Sequence, residues 1–381
     1  EVLVDIDAYF NYMDWSASTN NPTLKLDTNI YSGGDIIFNA NVFVTRTALE
    51  HRIEFTGQAD FDPNAAVIDC NISVLMNDEM DGVVLFSTLD MTDSSSIYLL
   101  KGELYFQTNI VNTGSIQVLE GPGPTYDNKL LDFGGSTLDL FSGFNSANVE
   151  VFSFNGGTSD LYIGTPTETN YLLTDGIDFH NVHLDFQELS TPQRLSGSNT
   201  YFKLKIEKGS HILIDSVHTV TDSLTMKGNC LDSIYLYASA AGAPSSINKT
   251  ANTKVVAECI DFQDVNTDLA PLTALFSTGT NTNWTLDPSS PVTASGSVLG
   301  PYCLGDTTYF SNTSVGYSGD PNDVTSVWYF NDGTTGYYLN PPADSTWVTY
   351  EADTNRHVVA VGGDIDVILY TTYSNYCVDT D

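Results

Sequence analysis

The chain has 381 residues, with 13 Lys plus Arg set against 48 Asp plus Glu, a formal charge of −35. A surface that negative repels phosphate backbones and anionic lipid heads, which argues against nucleic acid as a partner. No apolar run approaches the ~18 residues of a membrane-spanning helix, so no membrane insertion is expected.

Of the acidic residues 36 are Asp and only 12 Glu. Glu favours helices, whereas Asp favours turns and caps. With 29 Gly, 21 Tyr and 19 Phe, the balance predicts a turn-rich all-β protein, long enough for two or three domains. The chain begins at Glu1, so it reads as a mature fragment or one slice of a longer chain. Cys70, Cys230, Cys259, Cys303 and Cys377 form no C-x-x-C pair, and a zinc or redox motif is not expected. Scarce Lys, abundant Asp and widely spaced Cys suit an extracellular, oxidising setting.

Residues 1–125 alternate short β-prone runs with polar turns, a spacing compatible with a sandwich or with stacked coils, and are expected to be a β-rich region of early β-helix coils. Val83-Val84-Leu85-Phe86 and Ile97-Tyr98-Leu99-Leu100 are such runs; Ser32-Gly33-Gly34-Asp35 and Asp62-Pro63-Asn64 are such turns. Gly121-Pro122-Gly123-Pro124 is either a linker or a long loop leaving a continuing coil. Residues 126–286 read as coils. In residues 201–208, Phe202, Leu204 and Ile206 are expected to face one way and Lys203, Lys205 and Glu207 the other. Strand centres recur about every ten residues, so three strands would complete a coil in roughly 20–30 residues, the pattern of a parallel β-helix. Residues 254–287 are expected to close it, as a strand buried between neighbours because both of its faces carry apolar residues.

Here a resemblance enters. Leu224, Lys227, Gly228, Cys230, Ile234, Leu236 and Ser239, then Ile260, Asp264, Asn281, Asn283 and Trp284, are similar to the closing coils of right-handed β-helices in giant surface adhesins of the Bacteroidota. Those include gliding-motility-type proteins exported by the type IX secretion system. The sequence departs from that pattern at residues 268–274, where DLAPLTA replaces a Gly-Gly-Ala turn. After the linker-like Pro288-Ser289-Ser290-Pro291, Trp328, Phe330, Asp332, Gly333 and Thr335 resemble the signature of PKD-type (polycystic-kidney-disease-type) domains, with Asn331 in place of the usual Gly. The resemblance implies an immunoglobulin-like sandwich over residues 287–381, with Phe310, Trp328 and Val367 or Leu369 in its core. The expected fold is therefore all-β: a right-handed parallel β-helix followed by an immunoglobulin-like (PKD-type) β-sandwich. Cys303 and Cys377 are placed to meet as a disulfide, the alternative being two buried thiols. Cys230 and Cys259 sit on adjacent coils and form a second candidate pair. Cys70 is left as a buried hydrophobe.

Chemistry is harder to find. Lys203, Lys205, Lys208 and His211 form the only local basic cluster, and two outward lysines on one strand explain most of it. Hydrolases of this architecture need carboxylates converging across coils, but no Asp-Asp doublet occurs and the Asp residues read as turn residues. His180-x-x-His183, with His211 and His218, invites a metal, yet nothing fixes convergence and scattered surface histidines are expected. No cofactor is required. Calcium is the one ion to consider, at Asn77-Asp78-Glu79 with Asp81, or at Asp320 with Asn322 and Asp323; solvated loops on an acidic surface are the better explanation of both. The expectation is a structural and adhesive segment of a large extracellular cell-surface protein, with no catalytic residue. Its partners would be other domains of the same long chain and a polysaccharide or surface ligand. The alternatives are a secreted carbohydrate-binding or polysaccharide-degrading β-helix protein, and a subunit of an extracellular filament.

Overall fold

The computed structural model describes residues 1–267 apart from 79–80, 122–127, 148, 165–169, 187–192, 229–233, 241, 251–253 and 259. At residue 258, and beyond 267 for a series of strands, it describes backbone alone. Among the described residues there are strands and no helix. The first unit, 1–228 with 233–285, is a right-handed parallel β-solenoid of about ten turns. At the ~4.8 Å spacing of paired strands its stack is roughly 50 Å tall.

Each turn contributes three short strands, one to each of three faces, and each strand pairs in parallel with its counterpart a turn later. On the first face, Val2–Val4 pairs with Thr23–Leu26, which pairs with Phe43–Arg46. On the second, Ala8–Phe10 is followed by Ile30–Ser32 and Arg52–Phe55. On the third, Met13–Asp14 is followed by Ile36–Ile37 and Ala59–Asp62. The inward residues form vertical rows. Ile30, Ile53, Ile72, Ile97, Ile116, Phe144, Leu172, Leu195 and Ile214 succeed one another on the second face. Leu140, Ile163, Leu184, Ile206, Met226 and Ala257 do so on the first. These rows merge into one hydrophobic core running from Val4 to Val265. Every turn thus covers the apolar face of the turn before it and satisfies its backbone groups, so stability accumulates neighbour by neighbour.

The same three ladders start at Val2, so residues 1–125 belong to the solenoid that continues beyond them. The coil continues across the Gly-Pro stretch: Lys129–Asp132, beyond it, lies directly on 102–105, before it.

Corners decide the finer orientation. Tyr201 is buried on the third face while Phe202 is 40% exposed, and the register shifts between Tyr201 and Lys203 as the chain turns onto the first face. Phe202 therefore points outward beside Lys203, not inward with Leu204 and Ile206. Residues 254–266 behave similarly. Val256 is 41% exposed, so this strand is covered on one face only. Ile260 and Phe262 are fully buried, because the chain has passed a corner by residue 260.

The second unit runs from residue 286 to 381. Its strands pair antiparallel, in a sheet of Gly296–Gly300, Thr307–Asn312 and Thr354–Val358 and another of Val348–Tyr350, Val324–Phe330, Val367–Tyr373 and Cys377–Thr380. Trp328 stands opposite Leu369 in the second sheet. The side chains expected to form this unit's core lie outside the described residues.

Candidate functional site

The histidines do not converge. Within Asp178–Leu184, His183 projects from the first face and stacks on Tyr162, ring centroids 4.4 Å apart and 17° from parallel. Partial burial and the neighbouring Lys205 ammonium hold its pKa below the ordinary imidazole value. His180 stacks instead on Phe202 at 4.8 Å. His211 lies on the second face against Tyr235 and Tyr237. His218 is no surface residue at all: it is fully buried in the third-face row. Sequence alternation with the apolar Val220 carried that signal. Among the described residues no three His, Cys, Asp or Glu side chains come together as a metal site.

The basic cluster is similarly divided. Lys203 lies over the Phe202 ring at 5.6 Å, and Lys205 pairs with Glu207. Lys208 sits in the exposed turn before the second face. Of the calcium candidates, Asp78 caps a tight turn, its carbonyl accepting the Asp81 N–H at 3.2 Å. Glu79, Asp320, Asn322 and Asp323 lie outside the described residues, as do Cys230, Cys259 and Cys303. Cys377 is placed in a strand by its backbone alone. Cys70 is fully buried and free, and burial pushes its thiol pKa up to about 12.

The arrangement that sequence reasoning missed is a cleft of about 480 Å³ at the corner between the second and third faces. Ser146, Val149, Glu150, Phe152 and Phe154 line it from one turn, and Asp175, Gly176, Ile177 and Asp178 from the next. Its cause is local. After 137–145 the chain takes a long corner, opened by the Asn145 carboxamide oxygen accepting the Ala147 N–H at 3.0 Å. The strand that follows, Ser153–Asn155, pairs with Lys129–Asp132 on one side, but no ladder joins it to the following turn among the described residues. The gap leaves Phe154 only half-buried, although the row beneath it, Leu131, is fully buried.

The cleft's walls are held in place. The Glu150 N–H donates to Glu120 Oε1 at 2.9 Å, while Glu120 Oε2 receives the buried Lys129 ammonium at 3.2 Å. These two partners, the N–H first, keep the Glu120 pKa below the ordinary carboxylate value. Across the cleft, Asp175 Oδ1 accepts the Ser198 N–H at 2.8 Å. Phe154 packs on Phe133 and Phe179, with centroids 4.9 and 5.2 Å away, and carries Phe152 at 6.2 Å. Ser146 is 7% exposed, and its Oγ has no hydrogen-bond partner among the described residues. A buried hydroxyl left unpaired is uncommon, since an unsatisfied group costs about 1–3 kcal/mol. No search for adjacent carboxylates finds this cleft, because Glu150 and Asp178 are separated by a full turn of chain. The available signal was their recurrence at one coil period, beside two phenylalanines.

No protein-family model matches the chain, and no curated protein or solved structure is significantly similar to it.

Proposed function

We propose that the chain is a structural and adhesive segment of a large extracellular cell-surface protein. The observation that carries this reading is the unbroken succession of inward rows over the solenoid, from Ile30 to Ile214 on the second face. A stack of this kind is a stiff spacer whose length is set by the number of turns. The antiparallel unit after residue 285 serves in this reading as a PKD-like module that continues the chain toward further domains. The −35 charge keeps such a surface soluble and away from anionic lipid. The resemblance of residues 224–239 and 260–284 to gliding-motility-type adhesins supports the same assignment, with export by the type IX route.

The test is made on the source cells. Antibody against the solenoid should label intact cells from outside, and deletion of its coding region should reduce their attachment to surfaces. Labelling only after the cells are broken open would overturn the assignment.

A second reading, a secreted carbohydrate-binding protein, is favoured by the cleft, which joins aromatic walls to carboxylates. A reducing-sugar assay on a polysaccharide panel separates binding from cleavage.

A further inference from the structure

We infer that the cleft between Ser146–Phe154 and Asp175–Asp178 is a binding site for a neutral saccharide unit of a glycan chain. The inference rests on the carbohydrate-binding reading and deepens it by assigning residues and ligand class.

Three features point to this ligand. First, the volume of about 480 Å³ lies in the ordinary range of small-molecule sites. Second, the lining pairs two phenylalanine rings with Glu150, Asp175 and Asp178. A pyranose has apolar C–H patches that an aromatic face can cover, and hydroxyl groups that donate to carboxylates. Hydrogen bonds to an ionised acceptor are the stronger kind. Third, Ser146 lines the cleft with a buried Oγ that has no partner among the described residues. A hydroxyl can both donate and accept, so a sugar hydroxyl satisfies it in either sense.

The same lining selects against other ligands. Among the described residues no Lys or Arg lines the cleft. A uronate or sulfated sugar would meet three carboxylates on a molecule of charge −35 without a compensating cation. A divalent ion is disfavoured by geometry, because these carboxylates do not converge as a metal-binding group. Both rings are partly buried against the core; among the described aromatic contacts Phe152 meets Phe154 alone, whereas Phe154 also packs on Phe133 and Phe179.

Affinity gel electrophoresis in EDTA tests the site on the full chain. The probes are a soluble β-glucan, a xylan and a galactan, with alginate and polygalacturonate as anionic counterparts. At least one neutral polysaccharide should retard the protein, and the anionic two should not. Phe152→Ala and Asp178→Asn should each weaken retardation about tenfold, the scale of one charged hydrogen bond or a lost apolar contact. Ser146→Ala is the diagnostic variant. It should weaken retardation several-fold while leaving the thermal midpoint unchanged or raised, because it removes a buried hydroxyl that has no partner among the described residues. Retardation that all three variants leave unchanged would overturn the site and spare the carbohydrate reading. Retardation by anionic polymers alone would overturn the ligand class. No retardation by any of the five would overturn both.

Discussion

The hydroxyl of Tyr201 meets Nδ1 of His218 at 3.1 Å in the interior of the solenoid, and His218 Nε2 meets the Asp215 carbonyl at 2.9 Å. A carbonyl can only accept, so the proton of the neutral ring sits on Nε2 and Tyr201 donates to Nδ1. The pair ends a chain of aromatic contacts that runs from Phe106 through Phe133, Phe154 and Phe179. Burial lowers the His218 pKa from 6.5 to about 4.

That depression makes the fold sensitive to mild acid. Between the unfolded and folded pKa values the unfolded chain binds the extra proton, so stability is full above about pH 6.5 and falls as pH drops toward 4. By pH 5.5 this one residue should remove about 1 kcal/mol. Urea unfolding at pH 7.5 and pH 5.5 checks it: His218→Phe should lose less on acidification than the native chain. An equal loss in both would show that His218 is not the group responsible.

Arg46 ties three turns together. Its side chain is 4% exposed, and Nη1 donates to the Leu49 carbonyl and Asn71 Oδ1 at 3.2 and 3.1 Å. Nη2 donates to the Ser94 carbonyl at 2.9 Å and lies 3.7 Å from Asp69. Lysine carries a point charge on a flexible stem and cannot reproduce the planar fork. Arg46→Lys should destabilise by about 1–3 kcal/mol, and Arg46→Met by at least as much, in chemical denaturation.

The corner between the third and first faces depends on Gly157, whose φ is +53°. A Cβ there would fall 1.8 Å from the carbonyl oxygen of Gly134, one turn below, which already accepts the Thr158 N–H at 2.6 Å. Gly157→Ala must therefore displace backbone and should cost several-fold more than the ~1 kcal/mol of left-handed strain alone. Gly176→Ala is the matched control. Its φ is +68° with nothing within 4 Å of the added carbon, and it should cost only about 1 kcal/mol. Calorimetric midpoints of the two variants test the contrast.

Cys70, fully buried with its thiol pKa raised to about 12, should resist iodoacetamide until denaturant opens the solenoid. Peptide mapping before and after denaturation measures this. The same digest, run without reductant, tests the candidate bridges Cys303–Cys377 and Cys230–Cys259. Recovery of all four as free thiols would remove both.

The alternation of apolar and polar residues was legible without coordinates, because a strand's side chains alternate by local geometry alone. Leu204 with Ile206, and Ile212 with Ile214, announce their inward rows in that way, and the coil period follows from their spacing. What the sequence alone could not determine was where each corner falls. A corner resets the parity of inside and outside, which is why Phe202 emerges beside Lys203 and why Ile260 joins the core. Vertical register is likewise a property of the stack. Glu150 comes to line one cleft with Asp178, and Arg46 to reach Ser94, only because successive turns lie one strand spacing apart, whatever the intervening length of chain. Local sterics thus set the strands, while packing between turns decided which distant side chains became neighbours.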